Sequence, residues 1–260
     1  MTATQRTYAV TGAASGIGKA TTAMLASIGH RVIGVDRHDV DVIADLSTSD
    51  GRRAMVSQVS ALTDHCLDAV VACAGTVGQG PTDVRVNYFG ALATLEGLRP
   101  FLQRGTEPRA VAVASFAVIE AVDDRLVDAC LAGDEPAARA RAAALVTDPL
   151  RVYASSKRAL ARWIRRAAPH DHWAGCGIAL NAVAPGIVQT PMTEPILAHP
   201  ELRETLLATV PMPFGGVTTP EGVAKVLTFL TDPDLPSVTG QLLFIDGGGD
   251  CVRRGDSIWS

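Results

Sequence analysis

Tyr153 and Lys157 stand four residues apart in the stretch Tyr153-Ala-Ser-Ser-Lys157, a spacing that sets both side chains on one face of a helix. A phenol beside an ammonium can exchange its proton near neutral pH and so serve as a general acid/base. The chain holds three tyrosines and three lysines among 260 residues, so chance would rarely produce this pair. Twenty of the twenty-three basic residues are arginine, and the compact charge of a lysine at position 157 departs from the chain's habit.

A second constellation offers that phenol an electron acceptor. In Thr11-Gly-Ala-Ala-Ser-Gly-Ile-Gly18, the glycines Gly12, Gly16 and Gly18, with Ser15 and Ile17 between them, form a turn of small residues. It lies between an apolar strand at 8–11 and a helix over 17–28, where backbone amides and the positive helix end can approach a pyrophosphate. Asp36 closes the next strand, eighteen residues after Gly18. A carboxylate there accepts hydrogen bonds from a ribose diol and repels a 2'-phosphate, which predicts NAD over NADP, with Arg37 beside it softening the discrimination.

The elements that must position these groups alternate. Apolar strands are predicted at 31–35, 42–44, 68–73, 110–114, 177–183 and 241–245. Helices are predicted up to about Leu62 and over 83–102, 151–168 and 220–231. That rhythm predicts an α/β fold, one domain over 1–260 built on a doubly wound parallel sheet of about seven strands. The alanine- and arginine-rich segment 116–150, with Pro136 and Pro149, breaks the rhythm and reads as a helical insert of two short helices.

A hydrophobic share of 47% supports one large core, and a net charge of -4 gives no footprint for nucleic acid or an anionic membrane. The five cysteines are odd in number and scattered, which reads as free thiols rather than a zinc or redox motif. His170-Asp171-His172 has no further ligands nearby, so no metal is expected. Met1 to Thr7 carries one arginine and runs into a strand, which makes cytoplasm the expected address.

Jointly these motifs resemble the short-chain dehydrogenase/reductase family, from the first strand to about Gly248, and the resemblance implies a Rossmann fold. It places Asp45 and Leu46 near the adenine, and Ala74 and Gly75 in a cofactor-side turn where Cys73 stands in place of the usual asparagine. Asn87 opens an Asn-x-x-Gly and anchors a proton-relay water, while Ser115 binds the substrate oxygen. In the stretch 181–190, Pro185 and Gly186 flank the nicotinamide, and the Val188 backbone and Thr190 hydroxyl take its carboxamide. Asp246-Gly-Gly matches the family's closing turn.

The implied reaction is hydride transfer between an alcohol carbon and the nicotinamide, with Tyr153 as general acid/base and Lys157 also holding the nicotinamide ribose. A phenol of pKa about 10 must fall by about three units, or about 4 kcal/mol. An ammonium about 4 Å away at an effective dielectric of about 20 supplies that amount.

Val42-Ile-Ala-Asp-Leu-Ser-Thr48, Val86-Asn-Tyr-Phe-Gly90 and the insert resemble a bacterial hydroxysteroid dehydrogenase branch of the family. The thirty-eight-residue gap from Ser115 to Tyr153 exceeds the common family form. It falls beside helices that pack into tetramers in many relatives, so a homodimer is expected. The segment 190–219 is the family's lid, and its Met192, Ile196, Leu206 and Phe214 favour a small hydrophobic secondary alcohol or ketone, a 3-hydroxysteroid among them. A rival is a 3-oxoacyl thioester reductase, expected to prefer NADP and to carry a basic residue in the glycine turn, where this chain has Ser15. Another is a catalytically idle nucleotide-sensing protein, which commonly lacks the tyrosine or lysine kept here.

Overall fold

Seven strands, all parallel, carry the described residues, 5–259 of a computed structural model: β1 (Thr7–Thr11), β2 (Arg31–Asp36), β3 (Val42–Ile43), β4 (Ala69–Ala72), β5 (Arg109–Val113), β6 (Ala179–Pro185) and β7 (Leu242–Ile245). Their hydrogen-bonded order is β3-β2-β1-β4-β5-β6-β7. The expected sheet of about seven strands is therefore found. Residues 1–4 and 260, which enter the expected domain span and the amino-terminal reading, lie outside the described residues. β4 and β5 are buried along their whole length, as a sheet covered on both faces demands. The chain leaves β1 toward β2 and β3 on one side, then returns to its other side through β4, opening a crevice at the carboxyl ends of β1 and β4.

One face of the sheet is covered by α1 (Gly16–Ser27) and α10 (Pro220–Leu230), whose Leu25, Val223 and Leu227 are fully buried. The other is covered by α2 (Ser49–Leu62), α4 (Ala91–Leu102) and α7 (Pro149–Ala167) through Met55, Leu95, Leu98 and Leu160. The helix expected over 83–102 is instead three pieces: α3 (Pro81–Val84), a π-helical turn over Arg85–Gly90, and α4. Hydrophobic periodicity does not register such a widened turn, which recurs at functional sites.

The insert does hold two short helices, α5 (Asp124–Leu131) and α6 (Glu135–Ala144). Asp123 and Asp134 cap them by accepting the Leu126 and Ala137 amides at 2.9 Å. Pro136 and Pro149 sit in the first turns of α6 and α7, where a missing N–H costs nothing, so they start helices rather than interrupt them. Leu126, Val127, Cys130, Ala138 and Ala142 join the core that contains Tyr88 and Val152. Arg141 grips Asp123 with Nε and Nη2 of one guanidinium edge, at 2.9 and 2.5 Å, which holds that carboxyl down at about 2. Arg52 of α2 donates to Glu135 of α6 at 2.6 Å, tying the insert to the rest of the layer. Beyond β6 lie α8 (Glu194–Leu197) and α9 (Pro200–Thr209), neither with a buried residue, and α11 (Gly249–Arg254) follows β7.

Candidate active site

A cleft of about 310 Å³ opens above the carboxyl ends of β1, β4, β5 and β6 and gathers residues from all of them. One end of it is the turn from β1 into α1, with Gly12, Ser15, Gly16, Ile17 and Gly18 on the wall. Gly12 has φ of +73°, and a Cβ there would come within 3.0 Å of the Ala74 backbone. At Gly18 a Cβ would collide with the Gly12 carbonyl. Glycine at both positions lets the turn close against the Ala74 and Gly12 backbones and leaves the start of α1 open to the cleft, a shape that suits an anionic group.

Beside it the wall continues through Asp36, Asp45 and Leu46. Asp36 is oriented before any ligand arrives: its Oδ2 accepts the Ala14 amide at 3.0 Å and its Oδ1 accepts the Arg37 amide at 2.7 Å. Across the cleft, Ala74 and Gly75 follow β4. Thr11 Oγ1 accepts both the Cys73 and Ala74 amides, at 3.0 and 3.1 Å, so this turn is fastened to β1 without the asparagine that Cys73 replaces.

A third part of the cleft joins Ser115, Tyr153 and Lys157 to Pro185, Gly186, Val188 and Thr190. Ser115 follows β5, and its hydroxyl lowers the Tyr153 phenol while its own Oγ accepts the Ala117 amide at 3.2 Å. Lys157 is 4% exposed, and its Nζ donates to the Val113 carbonyl at 2.8 Å and lies 5.9 Å from the centre of the Tyr153 ring. The expected lowering of the phenol is not produced by these residues alone. Burial pushes Tyr153 up, opposed by the Ser115 hydroxyl, and burial also lowers Lys157 to about 8.

Asn87 is the one expected site residue that does not line the cleft. It is fully buried in the π-helical turn, where its Oδ1 accepts the Thr76 amide and its Nδ2 donates to the Thr76 carbonyl, both at 2.9 Å. Nδ2 also donates to Ser156 Oγ at 3.1 Å. Its side chain therefore acts on the cleft through Thr76 and α7. Sequence reasoning missed Thr76 and Thr193. Both line the cleft, and Thr193 Oγ1 donates to the Val188 carbonyl. Met212, one of the apolar residues of the segment 190–219, does not line it, and its Sδ accepts the Ile187 amide at 3.2 Å. No periodic or motif signal marks the two threonines; they are found only when the loops are folded together. His170 and His172 are exposed, and among the described residues no group of three His, Cys, Asp or Glu side chains is placed to hold a metal. No described helix is long and apolar enough to cross a membrane.

A glycine turn on a parallel sheet, facing a serine, a tyrosine and a lysine across one cleft, defines a class that comparison with known proteins establishes independently. The chain belongs to the short-chain dehydrogenase/reductase family of oxidoreductases. Residues 12–250 match the family described as enoyl-(acyl carrier protein) reductase. The chain is 37% identical over 254 residues, 94% of its length and 96% of the relative's, to the 3-alpha-hydroxysteroid dehydrogenase/carbonyl reductase of Comamonas testosteroni. It is 32% identical over 247 residues, 92% of its length and 95% of the relative's, to the 3-oxoacyl-(acyl-carrier-protein) reductase FabG of Thermotoga maritima. The crystal structure of the 3-alpha-hydroxysteroid dehydrogenase from Pseudomonas sp. B-0831 complexed with NADH superimposes with a TM-score of 0.87 at 40% identity, covering 95% of this chain and 98% of that one.

Proposed function

We propose that the chain interconverts a hydrophobic secondary alcohol, a 3-hydroxysteroid among the candidates, and its ketone, using NAD. The observation that carries this reading is the meeting of Ser115, Tyr153 and Lys157 in the cleft whose other end holds the glycine turn and Asp36. NAD, when bound, supplies the hydride acceptor or donor. The amides of the turn face the pyrophosphate, and Asp36 takes the ribose diol. Ser115 holds the alcohol oxygen while Tyr153 takes or returns its proton. Lys157 keeps positive charge beneath the ring and reaches the nicotinamide ribose. The 3-alpha-hydroxysteroid dehydrogenases named above support the substrate class. So does the lid, where Met192 and Phe214 remain 44% and 86% exposed, free to meet an apolar ligand.

A screen of steroid alcohols, aliphatic secondary alcohols and 3-hydroxyacyl thioesters with NAD and NADP, read at the reduced-nicotinamide absorbance, tests this directly. Turnover of the alcohols with NAD is expected. Preference for the thioester with NADP would overturn it in favour of thioester reduction, and uniform inactivity with both cofactors would point to nucleotide sensing.

Asp36→Asn removes the charge but keeps one acceptor for the Ala14 amide. The ratio of kcat/KM for NAD over that for NADP is expected to fall by about 10- to 100-fold, the worth of a hydrogen bond to a charged group. An unchanged ratio would remove Asp36 from cofactor selection.

The same reading includes a homodimer. α5 packs on α7 and α6 packs on α3, so the insert lies against the two helices whose counterparts, by the family resemblance, would pack in a tetramer, which supports the dimer reading. β7 is the last strand of the sheet, and its Leu243 is exposed. Light scattering is expected to give twice the mass of the chain, and a tetramer would refute the argument.

A further inference from the structure

Asp83 is a carboxylate with no exposed surface, four residues before Asn87, in a part of the fold where burying a charge needs a reason. Its Oδ1 accepts the Thr76 hydroxyl at 2.7 Å and its Oδ2 accepts the Gln79 amide at 3.0 Å. Thr76 is the residue whose backbone Asn87 grips from both sides, and Asn87 in turn donates to Ser156. Ser156 Oγ donates to the Tyr153 carbonyl at 2.7 Å. One continuous chain of hydrogen bonds thus runs from Asp83 to the helix that carries the reactive phenol. A Cβ placed on Gly75 would lie 3.1 Å from Asn87 Oδ1 and 3.4 Å from Lys157 Nζ, so the buried ammonium adjoins this network.

We propose that Asp83 is a positioning residue for proton transfer: its carboxylate fastens the Thr76 loop against Asn87 and supplies the buried negative charge that keeps Lys157 cationic. The proposal rests on the dehydrogenase reading above and deepens it. Asp83 and Lys157 act on each other electrostatically, and Asp83 also acts on Tyr153. Burial pushes the Asp83 carboxyl up, opposed by the Thr76 hydroxyl, the Gln79 and Gly78 amides and the lysine. Lys157 also faces Cys73. From the insert, α6 packs on α3 and brings Glu135, whose carboxylate is already engaged by Arg52. Burial pushes the Cys73 thiol up to about 12, so it carries no charge at neutral pH, which leaves the Asp83 carboxyl as the acidic group that acts on Lys157.

Only three lysines occur, Lys19, Lys157 and Lys225, so a chain labelled at the lysine ε-carbons gives three NMR signals to titrate. In Asp83→Asn the Lys157 midpoint is expected to move to lower pH by about one unit. Both limbs of the kcat/KM profile for alcohol oxidation should follow it downward. A folded Asp83→Asn whose Lys157 midpoint stays in place overturns the proposal, because a purely structural aspartate would lower stability without touching that titration. Asparagine keeps one acceptor where the carboxylate serves both the Thr76 hydroxyl and the Gln79 N–H, so a variant that fails to fold is answered in the wild-type chain, by carboxyl-carbon NMR of Asp83. An ionised carboxylate at pH 7 supports the proposal and a protonated one overturns it. Neither titration needs cofactor or substrate, so the absence of alcohol turnover would sink the dehydrogenase reading while leaving this result separately legible.

Discussion

Replacing Tyr153 by phenylalanine lowers kcat for alcohol oxidation by about 10² to 10⁴, the ordinary worth of a positioned general acid/base. The ring and its packing survive, and only the phenol oxygen is lost, the group on which the Ser115 hydroxyl acts. No neighbour can take over. Burial pushes the Cys73 thiol up to about 12, so it is protonated at working pH, and Lys157 remains a cation until about 8. Steady-state rates at the reduced-nicotinamide band, with fluorescence titration of the cofactor, check this: binding should persist while turnover collapses. Retention of more than about a tenth of wild-type turnover would exclude the role. Because burial holds the phenol up in the free protein, the fall to neutrality must arrive with the positive charge of oxidised nicotinamide. Tyr153 should accordingly titrate at lower pH in the NAD complex than in the chain alone.

Lys157→Met should abolish turnover and yet remove a stability penalty. The ammonium ionises less readily when folded, at about 8, than in the unfolded chain, at 10.5, so between these values the unfolded state binds the extra proton. Stability from this residue therefore rises with pH across that window, and below about pH 8 the full penalty of about 3 kcal/mol is present. Urea unfolding of wild type and variant at pH 7 and at pH 10 isolates it, since other titrating groups cancel in the difference. The wild type should gain up to about 3 kcal/mol on the variant over that interval. At pH 7 the variant's advantage is reduced by about 1 to 3 kcal/mol, because the Val113 carbonyl loses its donor. A pH-independent difference would mean that the lysine is not strained in the free protein.

Much of this site was legible in the sequence. Glycines with a required backbone shape, a carboxylate at a strand end and a Tyr-x-x-x-Lys helix face are local signals, and every residue expected to hold the cofactor lines one cleft. The strands were equally plain, because a parallel sheet buried on both faces writes itself as short apolar runs. What escaped was non-local or irregular. The π-helical turn at Asn87 has no periodicity of its own, and it directs that side chain to Thr76 and Ser156 rather than into the cleft. The pull of Lys157 on the phenol was reckoned from spacing alone, whereas burial, which only the folded chain reveals, acts on both groups and raises Tyr153.

The two helices that follow β6, α8 and α9, bury no residue at all, while strands β4 and β5 of the sheet are buried along their whole length. Substitutions there escape the packing constraints that bind the core, so sequence drift in α8 and α9 carries little risk of unfolding the protein. The glycine turn and Ser115 of the cleft follow the ends of buried strands, and Tyr153 and Lys157 sit on α7, whose packing restricts them. On the dehydrogenase reading, this division would let a lineage try new alcohols one residue of α8 or α9 at a time, with the hydride chemistry held constant.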